Sequence, residues 1–385
     1  MNSKTLSSYI EVVNKLGRTP RGFERSGRNA ESIFKAVLRN SKDTAIEIWE
    51  IYTQRREDLS RRLMNNREAV VAYLLGFHLP NMARASDLYQ RSELRHSWKS
   101  KLKKHKVRVY DIGCGTGAMS LALNIEADYF LIDTSGPLLD AASLLAQKSG
   151  LNAKTSRRNI EDLDPQQFTN KKNQDDVHIY LLGYVWNELN KNAPGRRNLL
   201  RIISNHIKRD EKCLVFVTEP ALDFMSRPAM ELRDTLCEAG FQALYPCPHS
   251  TPCPMLDRSK DWCYSEGEWN QPPVAKLIDK QMKINRAKHA STMFAFASPA
   301  VGLTSDHEPI VVGRPVRESG VERYKGFFDY LVCDGDGLRK EKPEQPKTVI
   351  LRGNIFSEVK PSPPPAKKKQ NAQSTQSKKP RPQRS

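Results

Sequence analysis

VRVYDIGCGTGAMS, residues 107–120, carries the main fold signal of this 385-residue chain. An apolar run ends on Asp111. Gly113, Gly115 and Gly117 follow at alternate positions, and a helical pattern opens at Ala118. The order predicts strand, glycine-rich turn, helix. Glycine suits a backbone that bends sharply and lies bare against a ligand, and a helix start adds unpaired N–H groups beside it.

Working outward, DYFLID (128–133), a short strand near 153–157, HIYLLGYV (178–185) and KCLVFVTEP (212–220) read as further strands. Helical patterns over 117–124, 135–149 and 194–208 separate them. Strands alternating with helices imply an α/β fold, a Rossmann-like, mostly parallel, doubly wound sheet. It is assigned to 99–245. Upstream, helical spacing over 5–16, 29–39, 43–53 and 57–76 gives a basic helical domain, 1–98, whose pattern breaks at Pro80. KSKLKKHK (99–106) reads as a basic lead-in to the first strand. Downstream, 246–290 is a cysteine-rich loop and helix. Residues 291–358 form a small β-rich appendage read from MFAFASPAVGL, PIVVGRPV, FFDYLVCDG and TVILRGNIF, in the manner of an open barrel. Residues 359–385 lack apolar anchors and read as a disordered basic tail.

The net charge of +18 is unevenly placed. Residues 1–106 hold 22 Lys/Arg against 11 Asp/Glu, and 360–385 hold eight Lys/Arg with no acid, leaving a near-neutral middle. Basic ends around a neutral core suggest a polyanion such as nucleic acid. Arg55, Arg56, Arg61, Arg62 and Arg67 are candidate phosphate contacts, though each alone also reads as a solvated helix face. No apolar run approaches the ~20 residues that span a bilayer, so no membrane partner is expected, and a monomer is. Seven cysteines, clustered rather than spread, point to a reducing compartment and to ligand use rather than disulfides. The cytoplasm is expected, with the mitochondrial matrix as the alternative.

A dinucleotide fingerprint is G-x-G-x-x-G. Here the order is D-x-G-x-G-x-G, which looks like the first motif of S-adenosylmethionine-dependent methyltransferases. Such a loop lets the methionine and ribose of the cofactor approach bare backbone. Asp111 is expected to orient the loop and the cofactor ammonium. Asp133, ending the second strand, is expected to accept from the ribose hydroxyls. Asp162, after the third strand, is a candidate for the adenine amine. LLGYVWNEL (181–189) ends beside the methyl-donor position of such folds, making Tyr184, Asn187 and Glu188 catalytic candidates. Asn187 also reads as a helix N-cap and Glu188 as a first-turn acid.

Cys247, Cys253 and Cys263 have the spacing C-x5-C-x9-C, and prolines follow the first two. Three cysteines within 17 residues of a polar loop argue for a metal. His249 or Cys333 would complete the set, the former suiting zinc, the latter zinc or an iron–sulfur centre. Cys213 and Cys237 fall inside strand and helix patterns and read as core.

LLGYVWNEL, VTEP, the Arg233-Asp234 pair, PCPHSTPCPML and DWCYSE together resemble the methyltransferase-like family of mitochondrial small-ribosomal-subunit assembly factors and their bacterial relatives. The resemblance covers roughly 65–340. It implies a four-iron, four-sulfur (4Fe-4S) cluster on Cys247, Cys253, Cys263 and, by position, Cys333. It implies association with the small ribosomal subunit and its rRNA during assembly. This sequence departs from the family in Tyr264-Ser265, where His-Phe is usual, and in GEWNQPP. Two functions follow: an rRNA methyltransferase, or a non-catalytic assembly factor that keeps the fold. A zinc-containing RNA-binding module is a third reading.

Overall fold

The computed structural model describes residues 3–17, 29–54, 64, 66–168, 175–189, 193–313, 330–341 and 350–356. Its main sheet has eight strands: β1 Val107–Ile112, β2 Asp128–Asp133, β3 Asn152–Arg157, β4 Val177–Gly183, β5 Lys212–Pro220, β6 Gln242–Tyr245, β7 Ser265–Glu268 and β8 Lys288–Ala297. The order is β3-β2-β1-β4-β5-β8-β6, with β7 pairing β8. β1 to β5 pair in parallel, β1 lying between β2 and β4. The central β4 and β5 are almost wholly buried, which explains their unbroken apolar runs. At the edge, β3 is polar and exposed (NAKTSR).

Helices cover both faces. α6 Ala118–Leu123, α7 Gly136–Ser149 and α5 Leu79–His96 lie on one side, α5 packing Leu88 and Tyr89 on the β5–β8–β6 part of the sheet, with α1 Ser3–Gly17, α2 Ala30–Asn40, α3 Lys42–Thr53 and α4 Arg67–Tyr73 outside them. α8 Pro194–Lys208 and α9 Asp223–Glu238 cover the other face, where Leu199, Ile202, Ile203, Met230 and Leu236 pack on Tyr180, Val215 and Val217. The N-terminal helices do not form a separate body. Tyr9, Phe34, Val37, Leu74 and Leu75 share one core with Leu121, Leu138, Leu145 and Ile278.

Three expectations are corrected. Pro80 does not end the helical pattern: α4 passes through a π-helical turn, Leu74–His78, straight into α5, with Pro80 at its first turn. The sheet does not stop near 245: MFAFA belongs to β8, which inserts antiparallel between β5 and β6. The helix expected at the end of 246–290 is α10, Pro273–Met282, and stops short of 290 where Lys283 turns left-handed at φ 57°. What remains of the appendage is a three-stranded antiparallel sheet: β9 Ile310–Val311, β10 Tyr330–Asp334 and β11 Gly337–Glu341. Among the described residues TVILRGNIF forms no named strand, and Ile355 makes an isolated bridge to Ile310. Arg55, Arg56, Arg61, Arg62 and the basic tail lie outside the described residues.

Candidate functional site

The loop after β1 bends through left-handed backbone at Gly113, Gly115 and Gly117 (φ 67°, 53° and 75°). At Gly113 a Cβ would sit 2.7 Å from Val185, so only glycine fits. The Gly113 and Cys114 amides donate to Ile132 O at 2.8 and 3.0 Å, fastening the loop to β2. Asp111 is buried behind the loop. Its Oδ2 accepts from Ser120 N (3.2 Å) and Ser120 Oγ (2.7 Å), tying the strand end to α6, and burial lifts its carboxyl to about 7.

In front of the loop lies a cavity of about 820 Å³, lined by Gly113, Gly115, Asp133, Tyr184, Asn187 and Glu188 among others. Asp133 Oδ2 accepts from Gly115 N and Oδ1 from Ser135 N, both at 2.8 Å, and burial raises its pKa. Of the expected site residues, these six share the cavity. Asp111 and Gly117 do not line it: the Cβ position of Gly117 faces Ala142 and Leu131, behind the loop. Asp162 does not line it either. It is exposed in the short turn Ile160–Asp162, and Asn159 and Ile160 reach the cavity instead.

The end of β4 is held by a residue that sequence reading passed over. Tyr184 takes φ 63°, an uncommon conformation for a residue with a side chain. The chain then turns so that the Trp186 and Asn187 amides donate to Glu219 Oε1 at 2.8 and 3.2 Å. The Asn187 side-chain amide donates to Tyr184 O (3.1 Å) and meets Glu219 Oε2. Glu219 is fully buried, and burial pushes its carboxyl up to about 8. Its only signal in sequence was an acid closing an apolar strand, in VTEP.

The N-terminal helices supply the facing wall. Tyr52, Tyr73 and Phe77 line the cavity, with Tyr73 and Phe77 rings 5.1 Å apart. His78 Nδ1 lies 2.8 Å from Thr116 Oγ1, bracing the glycine loop from outside, and stacks on Tyr9. The sequence offers arginines of this region as candidate phosphate contacts or as solvated helix faces. The aromatic residues of these helices carried no site signal because they follow the same period as core residues.

A second, small cavity gathers Cys247, Cys253, Cys263 and Cys333, with His249 and Arg233 in its wall. Both candidates for the fourth ligand therefore reach it, and His249 Nε2 lies 3.4 Å from Cys333 Sγ. The fully buried Arg233 pairs with Asp234 (2.6 Å) and donates to His249 O and Thr251 O. Asp234 in turn accepts from Cys253 N at 3.0 and 3.1 Å. The Arg-Asp pair thus shapes the cysteine loop from α9. Burial, with the neighbouring thiols adding, pushes the Cys253 thiol up to about 12 and raises Cys263 and Cys333 as well. A bound cation would offset that penalty on the thiolates.

At the opposite end of the strands, His178, His206 and Glu211 also lie close together. His206 is already engaged at both nitrogens, with Glu211 Oε2 at 2.7 Å and Tyr180 Oη at 2.8 Å. That group reads as a hydrogen-bonded core network.

No curated protein matches the chain. Among solved structures, an rRNA methylase from Streptococcus thermophilus is 13% identical, over 55% of this chain and 96% of that one, with TM-score 0.32. A magnesium protoporphyrin IX methyltransferase from Synechocystis, solved with bound S-adenosylmethionine, is 13% identical over 69% and 96%, with TM-score 0.32. The main domain is a Rossmann-like α/β fold, with helices before it and a small antiparallel sheet after it. Residues 99–315, more than half of the chain, match the family model described as mitochondrial small ribosomal subunit Rsm22, and the chain belongs to that family.

Proposed function

We propose that this protein binds S-adenosylmethionine in the cavity beside Gly113 and Gly115 and transfers its methyl group to rRNA of the small subunit during ribosome assembly. The observation that carries the reading is the meeting of bare glycine backbone with the Asp133 carboxylate at one cavity. Asp133 would accept from the ribose hydroxyls. Gly113 and Gly115 would leave room for the methionine portion. Tyr184, Asn187 and Glu188 would face the transferred methyl, and the protein's part would be positioning and electrostatics. The family's description supports the small subunit as partner and the mitochondrial matrix, rather than the cytoplasm, as compartment.

One observation favours a second reading, a non-catalytic assembly factor. The Asn187 amide is spent on Tyr184 O and Glu219, holding the turn rather than pointing at a substrate. A labelled cofactor separates the two. Incubated with small-subunit precursors, an enzyme labels rRNA, and Asp133→Asn abolishes both the label and cofactor binding by calorimetry. Binding to precursors with no label supports the factor.

The all-sulfur donor set fits an iron–sulfur cluster held by Cys247, Cys253, Cys263 and Cys333. When bound, it would cross-link the 246–263 loop to β10. Anaerobically purified protein should be brown, with iron and acid-labile sulfide that Cys253→Ser removes. One equivalent of zinc and no iron would establish the zinc alternative.

A further inference from the structure

Among the described residues, three large hydrophobic side chains are strongly exposed, and two of them, Leu222 (40%) and Phe224 (64%), stand together at the start of α9. Leu222 lines the large cavity, and Phe224 follows two residues later in the helix's first turn. The exposure is fixed by the chain around it. Met225 and Ser226 point into the core, and their amides donate to Leu222 O at 2.9 and 2.7 Å. Ala221 O accepts from Trp262 Nε1 at 3.2 Å. Phe224 thus sits on a rigid turn, on a helix face otherwise formed by Arg227, Glu231 and Thr235. The nearest acid, Asp223, is paired with Arg227 at 2.9 Å.

At the β3 end of the same mouth stand two arginines, next to the exposed acids Glu161 and Asp162 of the following turn. Arg158 lines the cavity, is exposed, and hydrogen-bonds the neutral Gln167 at 2.7 Å. Arg157, also exposed, donates to Thr134 O at 3.1 Å. From β3 to β5 the sheet crosses four inter-strand gaps, ~19 Å at the usual strand spacing.

We infer that this mouth binds an unpaired stretch of RNA, with a base stacked on Phe224 and Leu222 and phosphates on Arg157 and Arg158. The net charge of the whole chain, +18 and carried mainly by its two ends, favours a polyanion. Two exposed apolar side chains are far less than the ~800 Å² per partner that a specific protein interface buries, but one aromatic face is what a single base needs. The inference rests on the rRNA reading above and adds the form of the substrate: single-stranded, with one nucleotide held beside the cavity.

The test uses the full chain and an unstructured oligoribonucleotide carrying 2-aminopurine, read by anisotropy and by fluorescence quenching. Phe224→Ala should weaken binding about 5- to 100-fold and abolish quenching, the range for loss of one stacked base. Phe224→Trp should bind as tightly as the parent, and Phe224→Leu as poorly as Phe224→Ala. Parent-like binding by Phe224→Ala overturns the inference. Parent-like binding by Phe224→Leu does too, since it would show that RNA needs no aromatic face there. If the parent binds cofactor by calorimetry but not the oligonucleotide, the rRNA reading fails with it. If the parent binds RNA and Phe224 is indifferent, only the stacking fails.

Discussion

Glu219 shows how burial rewrites the chemistry of one side chain. It accepts from two backbone amides and meets the Asn187 side-chain amide, and burial lifts its carboxyl from 4.5 to about 8. A folded-state pKa above the unfolded value means the native state binds more protons between the two. Stability therefore falls as pH rises from about 4.5 to about 8. Asp111 acts with the same sign between 3.8 and about 7. Urea midpoints between about pH 5 and pH 8 should decline in the parent and decline less in Glu219→Gln, which imitates the neutral acid. Glu219→Ala orphans the Trp186 and Asn187 amides and should cost about 2–5 kcal/mol near pH 5, with the cost shrinking as pH rises toward 8. Asp133 was legible in sequence, since a strand-end acid after a glycine loop has a known use. Glu219 was not, because an acid in VTEP looks the same whether it faces water or the core.

At the scale of elements, the helix running through α4 and α5 is the least legible part of the chain. Pro80 has no N–H to offer the carbonyl four residues back, Gly76. That carbonyl accepts from Arg286 instead, a residue 210 positions away. Arg286 is itself held by Asp279, with Nε–Oδ1 at 2.7 Å and N–Oδ2 at 2.9 Å, and Gln271 adds a bond to Asp279 at 2.8 Å. The guanidinium therefore repairs the break that proline makes, and the helix keeps Tyr73 and Phe77 on the cavity. Arg286→Met leaves Asp279 as a buried unpaired charge and should cost about 3–5 kcal/mol in denaturant unfolding. The double variant Arg286→Met, Asp279→Leu should recover part of that loss.

For the molecule as a whole, the cysteine site joins pieces that sequence keeps apart. Arg352 donates to Trp262 O at 2.6 Å and stacks over Tyr264 at 3.7 Å, so the 350–356 segment closes over the loop carrying Cys263. Loss of the proposed metal centre, as in Cys253→Ser, should raise hydrogen exchange over 246–263, 330–334 and 350–356 while β1, β4 and β5 stay protected. Equal protection everywhere would show that the loop stands without its ligand. The basic composition belongs to this scale too. Affinity for RNA should fall steeply and log-linearly with salt, and a flat dependence would remove the polyanion argument. By itself the sequence determined the strands β1 to β5, the glycine loop, the strand-end acid Asp133 and the cysteine spacing, because each is a local pattern set by backbone geometry or side-chain period. Only the tertiary structure decided that β8 enters the sheet, that N-terminal aromatics wall the cavity, that Glu219 holds the β4 turn, and that Cys333 and His249 reach the same cavity. Those contacts join residues tens to hundreds of positions apart. Burial and partner, which set their chemistry, exist only once the chain has packed.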